Sequence, residues 1–111
     1  MDDLIVSLLI ENSANVNIAA KSGYTALHYA SQAGKTEIVK LLIAIKDIKI
    51  INAQATNGWT PLICASSMNH YDIVKILLDN GADKTLKDKR GLSAKVYAEI
   101  MGTKELVKLL E

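Results

Sequence analysis

Four segments of this chain repeat one pattern: Ile5-Val6-Ser7-Leu8-Leu9, Ile38-Val39-Lys40-Leu41-Leu42, Ile73-Val74-Lys75-Ile76-Leu77 and Leu106-Val107-Lys108-Leu109-Leu110. Their first residues lie 33, 35 and 33 positions apart. A second marker keeps the same beat. Gly23-Tyr24-Thr25-Ala26-Leu27, Gly58-Trp59-Thr60-Pro61-Leu62 and Gly91-Leu92-Ser93-Ala94-Lys95 start 35 and then 33 positions apart. Both markers place a two-residue insertion in the same interval. A unit this short cannot bury an apolar face alone, so the period predicts similar units stacked side by side.

Each unit reads as helix, turn, helix and a long polar loop. The first helix opens at Thr25, Thr60 or Ser93, where a hydroxyl can accept from a free N–H of the first turn. Pro61 follows Thr60, where a missing N–H costs nothing and the fixed φ helps. Leu27, Tyr29 and Ala30 form one apolar face, matched by Leu62, Cys64 and Ala65. Gly34 and Gly102 are expected to end the short helix in the left-handed conformation, with Asn69 in that place in the middle unit. Ile38, Val39, Leu41 and Leu42 give the second helix its apolar spacing. Asn80-Gly81-Ala82-Asp83 signals a turn, and the run to Gly91 suits a loop or short hairpin.

Of the 111 residues, 50% are apolar, enough for a continuous core without staples. Thirteen basic residues stand against 12 acidic ones, a balance with no long-range field for phosphate, so nucleic acid is not expected as a partner. Lys84, Lys87, Lys89 and Arg90 do gather locally, but Asp83 and Asp88 dilute them, and a solvated loop is expected. The single cysteine, Cys64, rules out an internal disulfide and fits a reducing compartment. Met1-Asp2-Asp3 is acidic where a signal sequence is basic. The longest apolar run, Leu41 to Ile45, is far too short to span a membrane. A cytoplasmic location is expected, with the nucleus as the alternative.

These residues resemble the ankyrin repeat: a glycine, Thr-Pro-Leu-His, an Ala-rich short helix, a glycine, an Ile-Val-x-x-Leu-Leu helix and Gly-Ala-Asp. Gly23 to Leu42 and Gly58 to Asp83 match almost throughout. The resemblance implies an all-α solenoid of antiparallel helix pairs with hairpin loops projecting to one side. The chain then divides into a partial repeat (1–20), two full repeats (21–53 and 54–87) and a degenerate C-terminal capping repeat (88–111). Ala26 stands where the family has Pro. Ile63 stands where it has His, so a threonine–imidazole bond can form at Thr25–His28 but not at Thr60, which loosens that helix start. Ile45 to Ile51 replaces Gly-Ala-Asp and is longer by two; with no glycine to stop it, the second helix is expected to run on by part of a turn. In the last unit Lys95 replaces a core leucine, and Glu99, Lys104, Glu105 and Lys108 make it polar, as a terminal unit's outer face must be. Leu4 to Ile10 reads as a second helix without its first. That is a poor cap, so either the chain continues a longer array or another molecule covers this helix.

Catalysis finds no support. Cys64 falls at a core position, in register with Tyr29 and Tyr97, and is expected to be a small buried apolar residue. The resemblance makes His28 a helix-start partner and His70 a source of local hydrogen bonds. Two histidines and one cysteine at unrelated places do not make a metal spacing, and the six glycines make no phosphate loop. No cofactor is expected. The resemblance implies instead a partner protein held on the concave side, on hairpin tips and short helices. The equivalent residues here are Lys21, Ser22 and Tyr24, then Thr56, Asn57 and Trp59, then Lys89, Arg90 and Leu92. On the short helices they are Gln32, Ala33, Ser67, Met68, Ile100 and Met101. Tyr24, Trp59 and Leu92 would form a row of large side chains, the type that anchors interfaces; equally, each could pack its hairpin on the next unit. Two other readings stay open: nucleotide or RNA stacked on Trp59, and self-association through helix 4–10.

Overall fold

A hydroxyl at the start of each short helix and alternating apolar faces after it set the architecture of this computed structural model. The structure describes residues 21–45 and 50–111. Within them six helices run in chain order: α1 (Ala26–Ala33), α2 (Thr36–Ile43), α3 (Pro61–Ser67), α4 (Tyr71–Asp79), α5 (Ala94–Met101) and α6 (Lys104–Leu110). Among the described residues there is no strand, only an isolated antiparallel bridge between Lys87 and Ser93. The short helices α1, α3 and α5 pack in a row, and each packs on its own second helix. The expected all-α stack of helix pairs is what forms. The partial repeat expected at 1–20 and its helix at 4–10 lie outside the described residues.

The helix starts follow the sequence, with one exception. Thr25 accepts from the His28 N–H at 3.4 Å and Thr60 from the Ile63 N–H at 3.1 Å. The second start is therefore no looser in its geometry, since the Thr60 hydroxyl and Pro61 serve without an imidazole. Ser93 has the extended backbone of a cap but makes no side-chain cap bond. Its place is fixed through its main chain, by the bridge to Lys87. Thr103 caps α6 instead, accepting from Leu106 N–H.

The glycine expectations divide. Gly34 (φ 76°) is left-handed, and Asn69 (φ 60°) does the same in the middle unit. Gly102 is not: its φ of −104° and ψ of −172° are extended. Glycine is required there by proximity, because a Cβ would sit 2.7 Å from the Ala98 carbonyl oxygen. Nor does the second helix of the first repeat run on. α2 stops at Ile43, and Ile45 N–H donates back to the Leu42 carbonyl to close a turn. The residues that follow, 46–49, lie outside the described set.

Leu27, Val39, Leu42, Leu62, Cys64, Ile73, Val74, Leu77, Ala98 and Leu106 form a dry wall through the stack. Two residues assigned to apolar faces are not in it. Tyr29 is 52% exposed and Leu41 is 53% exposed, so each faces outward from its helix. Cys64, in register with Tyr29, is buried as expected. The side chain sharing a register position thus changes from repeat to repeat in what it touches.

Candidate functional site

The hairpin tips are joined into one edge by bonds between repeats. At the hairpin tips Thr56 N–H donates to the Ser22 carbonyl at 2.8 Å, and Lys89 N–H donates to the Asn57 carbonyl at 3.0 Å. Gly23 and Gly58 make this approach possible. Each has positive φ, and a Cβ on Gly58 would come within 2.7 Å of the Lys89 nitrogen. Side chains add to the ladder. The Gln54 amide donates to both Gly58 and Lys87 carbonyls at 3.0 Å. Asn52 donates to the Gly81 carbonyl and accepts from Asp83 N–H. The hairpins therefore form one bonded edge rather than three separate loops.

His28 ties a short helix into this edge. Thr25 N–H donates to Nδ1 at 3.1 Å, so Nδ1 is an acceptor and the ring proton sits on Nε2. Nε2 then donates to the Trp59 carbonyl in the next repeat at 2.8 Å. Burial holds the imidazole below its ordinary pKa, outweighing the carbonyl partners that favour the charged form. His70 also reaches across a boundary, to the Gln32 carbonyl at 3.1 Å. Its bonding is between repeats, not local as the resemblance implied. The same ring closes over Gly34, where a Cβ would lie 2.8 Å from it.

Asp88 organises the third hairpin. Its Oδ1 accepts from the N–H groups of Arg90 and Leu92, both at 2.9 Å. The Tyr97 hydroxyl donates to Oδ2. Burial alone would raise this carboxyl; the bonds from Tyr97, Leu92 and Arg90, with the Arg90 charge, hold it below the usual range. Tyr97 is pushed up, by burial first and then by Asp88.

The large side chains Tyr24, Trp59 and Leu92, expected to form a row, each have packing roles in the structure. Tyr24 lies between His28 (centroids 4.9 Å apart) and Tyr29 (5.3 Å). Cys64 and Asn57 of the next repeat lie beside its hydroxyl, and burial raises its pKa. Trp59 meets Tyr97 edge-on at 5.1 Å and packs against the core. Leu92 is half-buried. Lys21, Ser22, Thr56, Asn57, Lys89 and Arg90 are exposed at the tips, and Gln32 and Ser67 are half-buried on α1 and α3. Met68, Ile100 and Met101 are large apolar side chains open to solvent. Tyr29 joins this surface. Its spacing with Leu27 and Ala30 suggests a core position, but it is exposed with its ring against Tyr24.

Among the described residues no group of three or more His, Cys, Asp or Glu could hold a metal ion. Burial pushes the Cys64 thiol up to about 12, which keeps it protonated and inert. No described helix is long and apolar enough to cross a membrane.

The family profile described as ankyrin repeats, in three copies, matches residues 2–88. The chain belongs to the ankyrin repeat family. Ankyrin repeats are in general protein–protein interaction modules and are typically non-enzymatic. The match ends at residue 88, in the third hairpin. No curated protein matches the chain.

Proposed function

We propose that this ankyrin domain is a non-catalytic adaptor, scaffold or inhibitor module that holds a partner protein on its hairpin tips and short helices. The observation that carries this reading is the open apolar surface of Met68, Ile100 and Met101 on a framework already bonded into one piece. Exposed side chains of that kind gain more from a partner than from water. A framework whose hairpins are fixed by Thr56–Ser22 and Lys89–Asn57 bonds loses little freedom on binding. Scaffold residues are set by stacking, which leaves the tips free to specify a partner. A reducing, intracellular setting suits one buried thiol.

The test compares Met68→Glu with Met101→Glu in one chain against Lys75→Glu, an exposed substitution on α4. Proteins captured from a lysate of the source cells are identified by mass spectrometry. A partner held by the wild type and the Lys75 variant, and lost from the double variant, is the expected result. Capture that survives the double substitution overturns the assignment of the surface.

A further inference from the structure

We infer that the partner presents a linear polypeptide segment with carboxylates at one end and bulky apolar side chains at the other, laid along α5 from the third hairpin to Met68 and Met101. This rests on the adaptor reading above and adds the chemistry of the occupant.

Charge is the first argument. The segment from Lys84 to Arg90 holds four cations, and Lys87, Lys89 and Arg90 are exposed. In the sequence two aspartates offset them. In the fold the two are not equivalent. Asp88 is turned under the tip, and both its oxygens are occupied by Arg90 N–H, Leu92 N–H and the Tyr97 hydroxyl. Asp83 is engaged by Thr85 N–H and hydroxyl at the far start of the loop. Among the described residues the one ion pair is Lys40–Glu37 on α2. The tip cations therefore face outward with their counter-charge beneath them. The neighbouring tip, Thr56–Asn57, carries no charge, and Lys21 continues the positive edge beyond it. An anionic segment is the complement.

The second argument is the path that leads from this tip. Tyr97 lies directly under it, bonded to Asp88, with Trp59 against its ring at 5.1 Å. Ile100 and Met101 follow Tyr97 at the i+3 and i+4 positions of α5, so the three share one face. They are 67% and 61% exposed, more than any other large apolar side chain described. Met68 holds the register position of Met101, at the C-cap of the adjacent α3. From Tyr97 to Met101 is about 6 Å along the helix. An extended chain advances about 3.3 Å per residue, so carboxylates at the tip and apolar side chains over Met101 belong to positions a few residues apart in one segment. A phosphate backbone would find cations at the tip but no donors along the Ile100–Met101 strip, which is why a polypeptide fits better than RNA.

The experiment displays random peptides of roughly twelve residues and selects them on the full chain at about 50 mM NaCl, where screening is weak. The expected winners carry Asp or Glu clustered near Leu, Ile, Phe or Met. The best is synthesised and its affinity measured by fluorescence anisotropy. Lys89→Glu with Arg90→Glu is expected to weaken it by roughly tenfold or more, and added salt to weaken it further in the wild type. Thermal melts check that this variant folds; Lys89→Ala with Arg90→Ala replaces it if it does not. Winners without acidic residues that bind the charge-reversed variant equally well overturn the partner chemistry and leave the groove standing. Winners indifferent to Met68→Glu with Met101→Glu, or no winners at all, overturn groove and partner together. Tighter binding of a single-stranded oligouridine than of the best peptide would assign the surface to nucleic acid and overturn the inference.

Discussion

His28 donates from Nε2 to the main-chain carbonyl of Trp59, 31 positions along the chain and in the next repeat. One side chain thus fixes its own helix start, through Thr25 N–H on Nδ1, and the stacking of its repeat on the following one. Making both bonds at once requires a neutral ring with its proton on Nε2.

Replacing His28 by Leu leaves the buried Thr25 N–H without a partner and the Trp59 carbonyl with Ala55 N–H alone. A loss of about 2–4 kcal/mol is expected, read as a lower urea midpoint. His28→Gln should lose less, because a glutamine at this helix position can still reach the cap N–H. The pH dependence carries a sign. The folded pKa lies below the ordinary 6.5. The unfolded chain therefore binds the proton first as pH falls, and the stability present above 6.5 is lost progressively toward and through the folded value. Subtracting the His28→Gln curve from the wild-type curve should isolate this slope; identical curves would show that the ring does not stay neutral in the fold.

Asp88 sets a second, more acidic window. Its folded pKa is held below the ordinary 3.8, so its contribution is complete above that value and lost as pH falls through the folded one. Tyr97→Phe removes one donor and should cost about 1–2 kcal/mol. Asp88→Ala strands three donors and should cost more, about 2–4 kcal/mol. In the double variant the two losses should not add, with a coupling of about 1 kcal/mol or more. Simple additivity in guanidine denaturation would mean the hydroxyl is not bonded to the carboxylate in solution.

Gly58 and Gly91 have nearly the same backbone, φ 86° and 81°, in very different surroundings. A Cβ on Gly91 meets nothing within 4 Å, whereas on Gly58 it meets the Asp88 and Lys89 main chain. Gly91→Ala should then cost only the left-handed strain, about 1–2 kcal/mol. Gly58→Ala should cost a further ~1–3 kcal/mol, because the hairpins must part. Equal losses would argue that the hairpin edge is not packed as described.

The contrast also shows what was legible in advance. Period, helix pairs, Thr25 and Thr60 caps and the buried Cys64 follow from spacing and local chemistry, which the sequence displays directly. The bonds that make the groove rigid do not. His70 to Gln32 and Gln54 to Lys87 join side chains to partners whose approach is set only by stacking, and Tyr97 to Asp88 depends on how the third hairpin folds back on α5. Tyr29 shows the same gap from the other side. Its spacing suits an apolar face, but α1 is only eight residues long, and a rotation of one position decides between core and groove. Asp88 reads as a diluting charge until the fold turns it inward.

Trp59 separates packing from recognition. Its ring is half-buried, wedged against Tyr97 and the core, so Trp59→Ala should cost about 1–3 kcal/mol from lost apolar area and the aromatic pair. For a chain of this size that is a fall in Tm of several degrees or more. Met68→Ala and Met101→Ala, at 52% and 61% exposure, should stay within about 0.5 kcal/mol of wild type. The two kinds of residue are told apart by pairing each melt with a binding measurement. Lost binding at Met101 with an unchanged melt marks a contact with the partner, whereas lost binding at Trp59 must first be corrected for the damaged stack, with Trp59→Phe as the conservative comparison. A Trp59→Ala chain that melts like wild type would mean the indole adds nothing to the stack, and the second and third repeats would have to be held together by the Gln54 and Lys89–Asn57 bonds and the buried contacts of α3 on α5.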